Sequence, residues 1–278
     1  RRADRDALLA LFLGTRATSL SRGDASRIIV RRTPEAELRP SVVRLAPLIG
    51  AADVPGIAEA LRALPPAFPA ADGTAARALV MISLVFAWCS SLAALEAALR
   101  RRSQRGEALR DSLRTGRWPS RAQLGGWVVA DDSTQLALAE ILVLDRSTDL
   151  DISAAIVTVD AHLHAVSALR ERVGPLVAAD TQARATAIRT LLRERPDARV
   201  VLFARHADTV HALHRSLRAE RGVVAITGIR ARSAAGQWAR SDVRDALAAP
   251  DLTRLSLDPR AIRLLLATDL LAEGVDMP

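Results

Sequence analysis

The chain has 278 residues, half of them apolar, which is long enough for one large or two ordinary domains with a substantial core. Its net charge is +8 and it contains no lysine, so every basic side chain is an arginine; that surface suits bidentate phosphate contact and an anionic partner, with nucleic acid the commonest. The single cysteine, Cys89, excludes an internal disulfide and a cysteine-based zinc site and points to a reducing cytoplasm.

Residues 1–27 are polar and rich in arginine, with a short apolar helix-like piece around Leu8–Leu13. A strand-like run, Arg27–Thr33, stops at Pro34, and Val42–Leu45 is a second short strand candidate. From about Gly50 to Leu176 the pattern is mostly helical. Ile57, Leu61 and Leu64 fall at helix spacing before Pro65 and Pro66 interrupt it. Ala75–Leu113 reads as two helices, the second strongly basic. Within it, Ala78–Leu95 runs 18 residues without a charge, the minimum for a membrane span. Ser90 and Ser91 are cap residues, however, and Leu92, Leu95 and Leu99 then follow amphipathic spacing, so the stretch reads as two helices sharing a core. Trp118-Pro119 and Gly125-Gly126 mark a loop. Asp131–Thr134 opens a helix through Leu144, and another ends at Val173. The acidic Trp127–Asp132 stretch reads as this helix cap and not as a metal box.

After Pro175 the character changes. Asp180 is expected to cap a helix with Ala183, Ala187, Ile188, Leu191 and Leu192 inside. Val200–Ala204, Val223–Thr227 and Ile262–Thr268 are apolar runs without alternation, the pattern of strands buried on both faces. A helix with Val210, Leu213 and Leu217 on one face separates the first two. A polar loop and a short helix at Ser241–Ala248 precede the third. Strand, helix, strand, helix, strand at this spacing defines an α/β fold with a parallel sheet.

In such a sheet ligands sit beyond the carboxyl ends of the strands. The residues there are Arg205-His206, Thr227-Gly228 and Thr268-Asp269. The last run continues Ala267-Thr268-Asp269-Leu270-Leu271-Ala272-Glu273-Gly274-Val275-Asp276. This resembles motif V of superfamily-2 helicases, in which a hydrophobic strand ends in Ala-Thr-Asp and a Gly-apolar-Asp follows. Val200–Arg205 stands where motif IV belongs, and Ile226-Thr227-Gly228 where the next nucleic-acid-contacting turn belongs. Ile28–Thr33 looks like the crossover between the two lobes of Swi/Snf-type translocases, and the helical block resembles the insert of bacterial Swi/Snf-like helicase-related proteins, some of them in DISARM-type phage defence.

The resemblance implies a mainly helical insert at 49–175, preceded at 1–48 by the end of a first RecA-like lobe with the crossover. It is followed at 176–278 by a truncated RecA-like lobe. Function is then expected as part of an ATP-dependent nucleic-acid helicase or translocase, with DNA, and other defence or repair proteins, as partners and no membrane association. Arg205, Thr227, Gly228, Thr268 and Asp269 are expected to grip the nucleic-acid backbone. Gly274 and Asp276 are expected to face the nucleotide, with ATP and Mg2+ as cofactors of the intact protein.

The sequence also departs from that family. A phosphate loop ends in Gly-Lys-Ser/Thr, and a chain without lysine has none. No Mg-holding Asp-Glu box is visible, and the arginine-bearing motif VI would lie past Pro278. The chain alone is therefore expected not to hydrolyse ATP, and no catalytic residue is assigned to it.

Arg100, Arg101 and Arg102 begin a basic stretch suited to backbone contact or to a solvated helix face. His206, His211 and His214, and the pair His162 and His164, lack a third ligand type, so no metal site is expected. The alternative reading is a non-catalytic α/β scaffold that binds a protein partner through the helical insert. A nucleotide-sugar binder would need a Gly-rich first turn, which is missing.

Overall fold

Pro65-Pro66 and Ser91 punctuate the helical half where the sequence places its breaks. The structure, a computed structural model, describes residues 56–66, 73–119, 151–197, 199–228, 230–243 and 261–268. The strand-like runs before Gly50 and the acidic stretch Trp127–Asp132 lie outside the described residues. The chain divides between Asp180 and Thr181 into two compact units.

The helical unit contains α1 (Ile57–Arg62), α2 (Gly73–Ser90), α3 (Leu92–Arg114) and α4 (Ile152–Val173). Ile57, Leu61 and Leu64 are buried as one stripe. The uncharged run from Ala78 to Leu95 is not one helix. Ser91 turns extended, and its hydroxyl accepts a hydrogen bond from the Ala94 amide at 3.0 Å, which starts α3 as an N-cap. A 3-10 turn, Gly174–Leu176, then leads into α5 (Val177–Glu194).

Asp180 corrects one expectation. α5 already begins at Val177, so Asp180 sits in its first turn and does not precede it. Its buried carboxylate accepts from the Leu92 amide at 3.0 Å and thus caps α3, 88 positions away in sequence. Ser91 and Asp180 together satisfy two of the four amides a helix start leaves open, and the negative charge suits that end of the helix dipole.

α3 and α4 are antiparallel. Glu96 pairs with Arg170 at 3.3 Å and Arg110 with Asp160 at 3.7 Å, so the numbers rise along one helix as they fall along the other. Apolar packing follows the same register. Leu92, Leu95 and Leu99 meet Val166, Leu169 and Val173 at one end, and Leu109 and Leu113 meet Ala155 and Val159 at the other. Each fully buried Leu or Ile contributes about 1.5–3 kcal/mol relative to exposure, whereas such partly exposed ion pairs contribute about 0–1 kcal/mol. Packing therefore sets the pairing and the charges trim it. Among the described residues one helical run, Ile152–Glu194, is long and apolar enough by length and composition to cross a membrane. In α4 its apolar stripe is the one packed in these clusters.

His162 is the buried polar group of α4. Its Nδ1 lies 2.7 Å from the Pro65 carbonyl oxygen, which only accepts, so Nδ1–H is the donor. Nε2 is buried without a hydrogen-bond partner among the described residues. Burial first, then the positive charge of Arg102, pushes the imidazole pKa down to about 4, against a lesser upward pull from the Pro65 bond. The unfolded chain therefore takes up this proton near pH 6.5 and the folded chain only near 4. Stability from this group is complete above pH 6.5 and falls by up to about 3 kcal/mol as the pH drops to 4. Urea unfolding of the chain at neutral and mildly acid pH should show this loss, and His162→Gln should flatten it. An identical acid slope in the variant would remove His162 from the account.

The other unit is α/β. Its mixed sheet comprises β1 (Val200–Ala204), β2 (Val223–Thr227), β3 (Arg230–Ser233), β4 (Gly236–Ala239) and β5 (Leu264–Thr268), in the order β1-β5-β2-β3-β4. β5 runs parallel to both β1 and β2, with Leu264 level with Val200 on one side and Val223 on the other. The three apolar runs thus lie side by side and point the same way. Residues 230–239, expected as a polar loop, instead form an antiparallel hairpin on β2. Its two-residue turn is closed by the Ala235 amide donating to the Ser233 hydroxyl at 3.0 Å.

α5 and α6 (Ala207–Leu217) cover one face. Ala185, Ile188 and Leu192 of α5, with Val210, Leu213 and Leu217 of α6, pack on Val223, Ala225, Leu264 and Leu266. Ala183, expected inside, is exposed; the stripe is shifted to Ala185. The opposite face buries Val224, Ile226, Ala231, Leu265 and Ala267 with Ile262 and Val243.

Gly222 immediately precedes β2 at φ 75°, where a Cβ would run into the Ala261 carbonyl. Its own carbonyl accepts from the Arg263 and Leu264 amides at 2.9 and 3.0 Å, which sets the register of β2 on β5. Gly222→Ala should lower stability by at least about 2 kcal/mol in urea unfolding, because both backbone strain and a backbone collision are imposed. A loss under about 0.5 kcal/mol would show that this junction yields.

Candidate functional site

Parallel strands share one carboxyl edge, and the register brings three of theirs level. Ala204 is opposite Thr268, and Ile226 is opposite Ala267, so Thr227 follows at the same height as Thr268. Arg205, Thr227, Gly228 and Thr268 therefore gather at one end of the sheet. Asp269, Gly274 and Asp276 lie outside the described residues.

These groups are not equally accessible. Arg205 is exposed and Thr227 half-buried, whereas Thr268 is only 4 % exposed. Thr268 shares the α6 side of β5 with Leu264 and Leu266. Gly228 adopts φ 55° with nothing near the position of a Cβ, so its role is the left-handed turn and not close packing. Its carbonyl accepts from Arg240 Nη1 at 3.4 Å.

His211 of α6 also touches the rim. His211 Nε2 and Thr227 Oγ1 are 2.9 Å apart. His206 holds the N-cap position of α6 in extended backbone and is half-buried. One turn past His211, the pKa of His214 lies below its ordinary value of 6.5, chiefly from burial and then from the positive charges of His211, Arg232 and Arg218. The sequence carried a signal for this group. His211, His214 and Arg218 recur at i, i+3 and i+7, a second stripe beside the buried Val210, Leu213 and Leu217.

The hairpin adds arginines to the same side. Arg232 pairs with Ala225 and Arg230 with Thr227, and Ala225 packs in the α6 core. Paired residues of neighbouring strands share a face, so Arg230 and Arg232 lie on the α6 side while Ala231 enters the opposite core. Reading 230–239 as a loop concealed this. The Arg-Ala-Arg alternation was the available cue.

Arg100, Arg101 and Arg102 belong to the helical unit. Successive helix positions are about 100° apart, so the three do not form one face. Arg100 is exposed and the other two are half-buried.

The described residues do not fit Mg-ATP. The chain has no lysine to hold β- and γ-phosphates, and no group of three or more His, Cys, Asp or Glu side chains among the described residues is placed to hold a metal ion. No chemical step is assigned to them. Comparison with family models, curated proteins and solved structures returns no match.

The His211–Thr227 contact should couple α6 to the strand end. In a double-mutant cycle of His211→Ala and Thr227→Val, urea unfolding should give a coupling energy of about 0.5–1.5 kcal/mol. Strict additivity would mean that the two side chains do not bond in solution.

Proposed function

We propose that this chain is part of an ATP-dependent nucleic-acid translocase or helicase, and that its sheet unit is a RecA-like second lobe that grips a nucleic-acid backbone, DNA in the first instance. The observation that carries this reading is the parallel β1–β5–β2 trio, with Arg205, Thr227-Gly228 and Thr268 at a shared carboxyl edge. Their order along the chain follows that of the helicase motifs which Val200–Arg205, Ile226–Gly228 and Leu264–Asp276 resemble.

The chemistry supports a backbone contact more than a base contact. Arg205 offers a guanidinium that is always charged. The Thr227-Gly228 turn offers a hydroxyl and main-chain amides at a strand end, a common setting for phosphate. Aromatic residues make up 3 % of the chain, so stacking on bases has little to draw on. In this proposal the hydrolytic groups are supplied outside the described residues. Gly274 and Asp276 would face the nucleotide of the intact protein, where ATP with Mg2+ would supply the energy for movement along the strand.

Fluorescence anisotropy with a labelled DNA oligonucleotide tests the binding half of the proposal. The 278-residue chain should bind with an affinity that falls linearly on a log–log salt plot, by about 0.9 per phosphate contacted. Arg205→Ala should weaken binding about three- to tenfold at fixed salt. Absence of salt-dependent binding would reject the nucleic-acid reading in favour of a scaffold role.

A further inference from the structure

The sheet unit carries positive charge beyond its rim as well. Arg218 follows the last turn of α6, and Arg230 and Arg232 alternate along β3. All three are exposed, and none pairs with a carboxylate among the described residues. Among the described residues the Arg230 guanidinium bonds the Gln237 side-chain oxygen, at 3.4 Å. His211 and His214 stand between α6 and this hairpin, with Nε2 of His214 buried and unbonded.

Repulsion makes such a cluster unfavourable by itself. Three guanidiniums that pair with no carboxylate among the described residues converge there with the His214 imidazole. A phosphodiester placed there would accept from several donors at once and relieve the repulsion. The shelf begins at Thr227, which bonds His211 and pairs with Arg230, so it continues the rim without a break.

We propose that α6 and the β3–β4 hairpin form a second phosphate-contact surface, on which Arg218, Arg230, Arg232, His211 and His214 hold nucleic-acid backbone leaving the strand-end rim. The proposal rests on the reading of the sheet unit as a nucleic-acid-binding lobe and adds to it a track and a pH response. The charges that act on His214 among the described residues are positive, namely those of His211 on its own helix, Arg218 just beyond it and Arg232 on β3. An arriving phosphate reverses the sign of that field. The imidazole then takes up a proton on binding, so affinity rises as the pH falls.

The test uses the 278-residue chain and a fluorescein-labelled DNA oligonucleotide, read by anisotropy across a salt series at about pH 7.5 and pH 6. Arg230→Ala with Arg232→Ala should weaken binding about tenfold and reduce the salt slope by about 2, with an unchanged melting profile. His214→Gln should reduce the gain in affinity on acidification. If the double arginine variant binds like the parent while Arg205→Ala still weakens binding, the shelf is refuted and the lobe reading stands. If parent and His214→Gln respond identically to pH, the imidazole is not part of the surface. If the parent chain does not bind DNA at all, the lobe reading fails and the shelf fails with it.

Discussion

The central strand β5 is the constraint on which the sheet unit depends. All five of its residues, Leu264–Thr268, are buried, and it pairs on both edges with strands that run the same way. A strand in that position has no solvent face to accept a polar alternative, so a slip of one residue would exchange Leu264 and Leu266 with Leu265 and Ala267 between two filled cores. The register is pinned from outside as well, by the Gly222 carbonyl that receives two amides at the strand's entry. With β5 held this way, the carboxyl ends of β1 and β2 have no freedom to lie elsewhere than beside Thr268. The chemistry gathered at the rim is thus a consequence of packing.

The same logic explains which features were legible in the sequence. Val223–Thr227 and Leu264–Thr268 announce themselves because strands buried on both faces need unbroken apolar runs; Val200–Ala204 carries the same kind of run but is the edge strand, mostly half-buried with Phe203 exposed, and is not buried on both faces as expected. Ser91 is legible because a cap is a local device. The β3–β4 hairpin is not, because each strand is four residues long and buries little more than Ala231 and Trp238, a signal too short to distinguish from a loop. Asp180 is hidden for the opposite reason. Its partner is the Leu92 amide, and no local pattern reveals a cap donated from the far end of a unit. His211 stood one helix position from the buried stripe, where periodicity alone assigns neither core nor solvent.

The rim has two unlike sides. Thr227 and Thr268 fall on the face covered by α6, the face that also receives Arg230 and Arg232. Phe203, opposite Ala267, falls on the other and stays 48 % exposed. The alternation of a strand makes this separation automatic, since neighbouring positions point to opposite faces. The threonines and the hairpin arginines thus stand on the α6 side, and the open aromatic stands on the other.

That asymmetry bears on how an all-arginine protein manages charge. Lysine would give a compact, strongly hydrated cation whose pKa drops readily on burial; arginine keeps its charge in partly buried settings. Here Arg189 is half-buried and still bonds Glu220 at 2.9 Å and the Ser216 carbonyl at 2.8 Å, fastening the C-terminal end of α6 to α5. Arg263 likewise donates to the Leu192 carbonyl at 3.0 Å. These arginines are consumed in structure. Arg218, Arg230 and Arg232 have no such acceptor of opposite charge among the described residues, although they are built on the same α6 and the same sheet. Identical side chains on one scaffold thus divide by environment into those that brace the helices and those left facing solvent, and only the second group has charge to offer a ligand.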